Sequence, residues 1–311
     1  MRDFASAAGG QIVVVGSINM DLVVRAPHLP QPGETIIGSN FETFPGGKGA
    51  NQAVAAARLG GRVKMIGRVG QDAFGHAMLR TLANDQVDTN FIERDTEQPT
   101  GVALITVEEA GQNTIVVASG ANARVTPADV DAAEAVFKGA AVLLLQLECP
   151  LPTVRHAIKI ARKHGVRVIL NPAPSQPLDA ELLSQVDYLV PNQIELALLT
   201  QTDSAPEGVA QLQALGVPHV VVTLGGDGVA IFEGAQSYLL PPHPVKVVDT
   251  TAAGDAFVGG FAVALTEGRS TREAAEWGNA AGALAVTRVG AQPSLPLRLE
   301  LEKFLKIGPW R

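Results

Sequence analysis

The sequence predicts an α/β protein, a three-layer α/β/α core around a mostly parallel central sheet, with a small antiparallel β unit added to it. Three observations carry this prediction. From about residue 140 onward, short apolar runs alternate with helical patterns, and a run as continuously apolar as Val142-Leu143-Leu144-Leu145 suits a strand buried on both faces. The first 120 residues instead hold alternating, Thr-rich segments separated by turn residues. Near the end, Phe257, Val258, Phe261, Ala262 and Leu265 recur at three- and four-residue spacing behind a run of small residues, the mark of a helix.

Residues 1–10 are small and polar, lack the basic and apolar regions of an export signal, and read as a loose extension of a folded domain over 11–311. Residues 12–15 make the first strand. Gly16-Ser17-Ile18-Asn19-Met20-Asp21 follows directly, which places Asn19 and Asp21 near the strand's C-terminal end. An amide and a carboxylate two residues apart suit vicinal hydroxyls, although both types are also ordinary turn formers. The alternating segments near 35–44, 101–107 and 114–118, the last two joined by Gly111-Gln112-Asn113, fall in two insertions at about 21–44 and 99–119. These are expected to pair into a lid over the C-terminal edge of the main sheet, with an outer face that equally suits a dimer contact. Gly46-Gly47-Lys48-Gly49-Ala50-Asn51 opens an Ala-rich helix that stops at Gly60. Lys48 and Asn51 suit hydroxyls and the backbone at Gly47 suits a close ring; a tight turn with a solvated lysine is the plainer alternative. A Walker A loop is excluded, because Gly49 stands where that motif needs Ser or Thr.

In the second half, strands at 141–147, 166–170, 188–190 and 219–223 alternate with helices, one ending near His164 and one over 193–199. Asn192 and Glu195 stand three residues apart at the start of the latter, a spacing that serves either a capping arrangement or a magnesium ion held through waters. Thr223-Leu224-Gly225-Gly226-Asp227-Gly228 lies between two strands, so its glycines do not open a helix as a dinucleotide fingerprint requires. They serve a nucleotide lying against the backbone, or a plain hairpin. Asp249-Thr250-Thr251-Ala252-Ala253-Gly254-Asp255 begins the last strongly periodic helix, with Gly268 as its stop. N–H groups at Ala252, Ala253 and Gly254 suit phosphate oxygens there, and Asp255 either caps the helix or takes a proton.

With 311 residues and 46% hydrophobic content, the chain can bury a large core. Its longest apolar run falls far short of a membrane helix, so a membrane role is not expected. Cys149 is the only cysteine, which excludes an intramolecular disulfide and agrees with a reducing, cytoplasmic setting. A net charge of −7 argues against nucleic-acid backbones and leaves a phosphorylated small molecule open. The six histidines show no pair at the spacing of a helical metal site.

Taken together, Gly46–Asn51, Asn192 with Glu195, Thr223–Gly228 and Asp249–Asp255 resemble the ribokinase-like carbohydrate kinases, in order and spacing along almost the whole chain. The resemblance is nearest to the ribose-phosphorylating members, through residues 16–21, Gln146-Leu147-Glu148, Asn171-Pro172-Ala173-Pro174 and Gly290-Ala291-Gln292-Pro293-Ser294. It implies ATP as donor, the 5-hydroxyl of ribose as acceptor, and a β lid that also forms a homodimer contact. It further implies that Asn19, Asp21, Gly47, Lys48, Asn51 and Glu148 contact the sugar, that Asp255 is the base, and that Ala252, Ala253 and Gly254 steady the transferring phosphoryl group. Asn192, Thr223, Gly225, Gly228, Gly254 and Asn279 fall on the nucleotide side, Asn279 where some relatives carry His. Asn192 and Glu195 are implied for magnesium, and Asp249, Thr251, Ala285, Arg288, Gly290 and Ser294 for potassium, several through backbone carbonyls. A kinase for another sugar or nucleoside, or a catalytically silent sensor, is the alternative reading on the same scaffold.

Overall fold

The computed structural model describes residues 10–110 and 112–307. The expected N-terminal extension lies outside these residues except for Gly10, as does Gly111 of the expected turn. Thirteen strands are present among the described residues: β1 (Gln11–Val15), β2 (Asn19–Ala26), β3 (Phe41–Gly46), β4 (Arg62–Gly70), β5 (Asp88–Asp95), β6 (Gly101–Glu108), β7 (Asn113–Ala118), β8 (Ala140–Leu145), β9 (Arg167–Leu170), β10 (Tyr188–Leu189), β11 (His219–Thr223), β12 (Val229–Glu233) and β13 (Gln236–Leu240). Nine form one sheet in the order β13-β12-β11-β10-β9-β8-β1-β4-β5. It is parallel from β5 to β11 and antiparallel at its last two pairings, β11 with β12 and β12 with β13.

Alternation along the central strands divides the core in two. Ile12, Val14, Val142 and Leu144 pack with helices Lys48–Arg58, Ala253–Thr266 and Thr271–Ala285. Val13, Val15, Leu143 and Leu145 pack on the other face with helices Leu151–Lys163 and Ala205–Ala214. Each of these strand side chains is fully buried, which stabilises the fold by about 1.5–3 kcal/mol per residue. The result is the α/β/α sandwich that the apolar strands predict.

The smaller sheet runs β3-β2-β6-β7. It differs from the expectation in three ways: of the segment near 35–44 only Phe41 onward is strand, and the other two differences concern β2. Residues 19–26 are a strand and not a turn, so Asn19 and Asp21 ride on the small sheet. The sheet is antiparallel at its outer pairings, but its middle pairing, β2 with β6, is parallel. The cause is topological: β2 follows β1 and β6 follows β5, two parallel strands of the main sheet, so both enter the small sheet from the same edge and run the same way.

Five neighbouring strands of the main sheet, β11, β10, β9, β8 and β1, end beside Thr223, Asn192, Asn171, Gln146 and Gly16. Strand order reverses between β8 and β1, and the C-terminal edge at such a switch point is where open α/β sheets form their ligand crevices.

Candidate active site

Helix Ala253–Thr266 starts at that edge in an unusual way. Its N-cap, Ala252, takes left-handed angles (φ 59°, ψ 11°) and offers no capping side chain. A non-glycine residue in this region carries strain of order 1 kcal/mol, the kind that persists where the surrounding structure demands it. The turn lets Ala253 N–H donate to Thr250 O at 3.2 Å, while first-turn N–H groups at Ala252 and Gly254 have no intrahelical acceptor. A Cβ at Gly254 would meet open space, so that flank faces a free volume. This volume is a cavity of about 200 Å³ lined by Lys48, Asn171, Asn192, Glu195, Thr223, Thr250, Asp255 and the 252–254 backbone among others.

Asp255 does not cap the helix. It is 6% exposed and its carboxylate turns sideways into helix Lys48–Arg58, where Asn51 Nδ2 donates to Oδ2 at 3.0 Å and Gln52 Nε2 donates to Oδ1 at 3.0 Å. Burial raises its pKa, as does the charge of Glu148; Lys48 and the two amides oppose the rise. Lys48 is shifted too: burial would lower it, but Asp255, Glu148, Glu195 and Asp21 together hold it above the ordinary value. Both shifts follow from one ammonium shared among four carboxylates, enough to keep the lysine charged and too little to offset the burial of Asp255.

The residues implied for a sugar converge beside this point. Glu148 Oε2 accepts from Lys48 N–H at 3.1 Å and from Ser17 Oγ at 2.5 Å, which fixes the carboxylate between β1 and helix Lys48–Arg58. Asn19 Oδ1 accepts from Asn122 Nδ2 at 2.7 Å, which orients the Asn19 amide. Gly46 makes room for Asp21: a Cβ there would lie 2.3–2.5 Å from the carboxylate atoms. Burial, Glu148 and Asp255 push Asp21 up to about 7 against the pull of Lys48. Gly47 is required by its own backbone (φ 88°), which packs on Ser17, Ile18 and Asn19. Ser17, Gln52, Asn122 and Gln146 belong to this cluster and were not singled out individually from the sequence. Their side-chain partners Glu148, Asp255, Asn19 and Gln52 lie 94 to 203 positions away, and no local spacing signals such pairs.

On the far side of the cavity, Asn192 and Glu195 form a reciprocal cap: Asn192 Oδ1 accepts from Glu195 N–H and Glu195 Oε2 accepts from Asn192 N–H, both at 2.8 Å. The capping reading is realised; it leaves Glu195 Oε1 out of that exchange, and Glu195 lines the cavity. Burial raises the Glu195 pKa, and the charge of Asp255 adds to it, against the Asn192 hydrogen bond and Lys48. Among the described residues no three His, Cys, Asp or Glu side chains converge as a metal cage. A magnesium ion needs no such cage, since it keeps most of its waters and takes one or two protein oxygens beside phosphates. Four acids around one lysine leave a negative surplus that suits a divalent cation.

Gly225 (φ 59°) and Gly226 leave the backbone after β11 open, since a Cβ at either would meet nothing within 4 Å. Gly228 (φ 95°) is structural, because a Cβ there would strike Leu240 O at 2.1 Å. Asn279 Nδ2 donates to Pro241 O at 2.9 Å, which joins helix Thr271–Ala285 to the same 240–242 segment. Asp249 ties a second loop pair together: Oδ1 accepts from Thr251 N–H and Oγ1 at 2.9 and 2.6 Å, and Oδ2 from Gly290 N–H at 2.8 Å. Burial alone would raise this acid, but those hydrogen bonds outweigh it and hold it below its usual range. Ala285 O accepts from Arg288 N–H, and Ser294 lies on the adjoining turn Gln292–Ser294. Asp249, Thr251 and Gly290 are thus joined behind the helix start, and Val248 and Asp249 N–H donate to Val286 O, which brings the 285–288 turn beside them.

The site thus combines a helix start open to a cavity, a buried carboxylate beside it, and polar side chains at the root of the small sheet. Residues 10–298 match the family model for pfkB family carbohydrate kinases. The ribokinase of Haemophilus influenzae is 44% identical over 300 residues, covering 95% of this chain and 98% of that protein. The deoxyribokinase of Salmonella typhi is 36% identical over 303 residues, covering 96% and 99%. The solved structure of Arabidopsis thaliana ribokinase complexed with ribose and ATP superposes with a TM-score of 0.91 at 37% identity, covering 96% of this chain and 100% of that one. Sequence, fold and site agree, and the chain belongs to the pfkB family of carbohydrate kinases.

Proposed function

We propose that this protein transfers the γ-phosphoryl group of ATP to the 5-hydroxyl of ribose, with Asp255 as general base. The observation that carries the reading is the placement of Asp255: a buried carboxylate, held at both oxygens, on the wall of the cavity into which the 252–254 helix start opens. An acceptor hydroxyl beside Asp255 gives up its proton to the carboxylate as its oxygen attacks the γ-phosphorus, and the bond from that phosphorus to the β–γ bridging oxygen breaks to release ADP. The positive helix start and the Lys48 ammonium then stabilise charge on the transferring group, the main contribution available to a phosphoryl-transfer enzyme. Asn19, Asp21, Asn51 and Glu148 supply the donors and acceptors for the sugar hydroxyls, and the open 223–226 turn with Asn279 and Pro241 supplies the nucleotide side.

Magnesium would be held through waters by Asn192 and Glu195, and would neutralise phosphate charge on the nucleotide. Potassium behind the helix start, at Asp249, Thr251, Ala285, Arg288, Gly290 and Ser294, would fix the loop that forms the anion site. The small sheet acts as a lid that excludes water and as the contact of a homodimer. A cytoplasmic setting fits ATP as donor.

The relatives include both a ribokinase and a deoxyribokinase, so the acceptor is the point to test. ATP consumption is followed with ribose, deoxyribose, fructose and adenosine, in magnesium buffers containing potassium or only a large organic cation. Turnover with the highest kcat/KM on ribose, raised by potassium, is the expected result. A higher kcat/KM on another acceptor moves the substrate, and no turnover on any acceptor overturns the kinase reading.

A further inference from the structure

Gln52 stands directly after Asn51 and is fully buried, yet it does not line the cavity. Its side-chain amide meets three other parts of the chain. Nε2 donates to Asp255 Oδ1 at 3.0 Å and to Asn171 Oδ1 at 3.2 Å, and Oε1 accepts from Gln146 Nε2 at 2.6 Å. Asn171 is oriented in turn by donating Nδ2 to Val190 O at 2.9 Å. The ends of β8 and β9 thus decide which way the Gln52 amide points, because Gln146 offers it a donor and Asn171 an acceptor. Only one orientation satisfies both, and it aims N–H at the carboxylate.

We infer that Gln52 is a positioning residue for phosphoryl transfer: keyed by Gln146 and Asn171, its amide holds Oδ1 of Asp255 from behind while Asn51 holds Oδ2. The inference rests on Asp255 being the base. A buried carboxylate is stabilised in its charged form by each N–H directed at it, and loss of one such bond disfavours that form. The charged groups facing Asp255 are Lys48 on the helix that carries Gln52, Glu148 beyond β8, Asp21 on β2 and Glu195 on helix Gln193–Thr200. Replacing Gln52 by a neutral, similarly sized side chain alters none of these charges, so a change in Asp255 ionisation reports on the amide alone.

The test is the pH dependence of kcat, at saturating ATP and ribose, for wild type, Gln52→Leu, Gln146→Leu and Asp255→Asn. Without the Gln52 amide, the acid limb moves upward by about one to two pH units. On the acid side of the limb, turnover falls by the same factor, about tenfold to a hundredfold, and it recovers as the pH is raised while the acceptor KM stays within about threefold. Gln146→Leu removes one of the two partners that orient the Gln52 amide and moves the limb the same way by less. A folded Gln52→Leu enzyme whose profile is lowered evenly at every pH, or is unchanged, overturns the proposal. Should Gln52→Leu fail to fold, Gln146→Leu decides in the same terms. Asp255→Asn separates the two levels: dead at every pH, it upholds the base, and active, it overturns the base and the Gln52 inference with it.

Discussion

Asp21 shows at the scale of one residue what it costs to assemble such a site before substrate arrives. Its carboxylate fills the space beside Gly46, and burial with Glu148 and Asp255 raises its pKa from 3.8 to about 7. The folded protein therefore holds the proton far more tightly than the unfolded chain. Stability from this group is fully present below pH 3.8 and is lost as the pH rises through about 7. Asp21→Asn keeps the shape and removes the charge, so its effect on the ligand-free protein is pH-dependent. Relative to wild type, the variant gains on the order of 1–3 kcal/mol between pH 5 and 8, the lower figures allowing for the Lys48 attraction it gives up. Thermal melts without ligand at the two pH values check this; an equal gap at both, or a variant less stable at pH 8, contradicts it. Single residues such as Asp21 and Asp255 were readable from the sequence because their motifs are short and local. Gln52 and Asn122 were not, since Gln and Asn in an Ala-rich helix or a loop carry no local sign of partners 103 or 203 positions away.

Two helices carry Asp255 and the amides that hold it, and their separation is set by small residues. Helices Lys48–Arg58 and Ala253–Thr266 cross so closely that a Cβ at Gly259 would lie 2.5 Å from Ala55 Cβ and 2.9 Å from Ala56 N. The backbone atom cannot turn aside, so Gly259→Ala forces the helices apart. Alanine gains about 1 kcal/mol over glycine in helix propensity, and overpacking of this kind costs about 1–3 kcal/mol, so the net change is destabilising or near neutral. The larger effect is on chemistry. The hydrogen bonds from Asn51 and Gln52 to Asp255 span the same crossing, and a shift of a few tenths of an ångström misplaces the carboxylate. Gly259→Ala is expected to lose about tenfold or more in kcat with a melting temperature within a few degrees of wild type. Kinetics beside a thermal melt decide it: unchanged kcat would show that the crossing does not hold Asp255. Helix Ala253–Thr266 was legible from its apolar spacing, and Gly268 (φ 79°) does end it. The role of Gly259 was not, because glycine within a helical pattern reads only as a weak helix former until a second helix is placed against it. Strand β2 was hidden for a similar reason. Asn19 and Asp21 are turn formers by local preference, and pairing with β3 and β6 overrides it.

The whole molecule joins a fully covered α/β core to a sheet that is covered only in part. Met20, Leu22 and Val102 root the small sheet in the main core, but its far strands leave apolar side chains in solvent. Register fixes which face they share: Leu22, Leu104 and Val116 stand opposite one another across β2, β6 and β7, and Phe41 lies on the same side through its pairing with Val24. Alternation puts Asn19 and Asp21 on the opposite face. Phe41, Leu104 and Val116 are 66%, 50% and 64% exposed, and a contiguous apolar face of this kind on a four-stranded sheet suits a partner surface. A second copy fits by the same argument, since a two-fold contact sets the patch against itself and shields both. The double variant Leu104→Asp/Val116→Asp places two charges per chain in that contact, so light scattering should find a dimer for wild type and a monomer for the variant. The site itself is untouched, because these side chains point away from Asp21. Loss of the contact instead frees the sheet to move, and the acceptor KM rises while the Asp255-dependent limb of kcat stays in place. A variant that remains dimeric would put the contact elsewhere, and a monomeric wild type would remove the dimer altogether. Gly290 gives the sheet a further tie to the catalytic edge, since a Cβ there would press on the Phe44 ring at 3.1 Å. Motion of the small sheet would thereby be felt at the Asp249 loop pair, and the KM effect should be larger without potassium than with it.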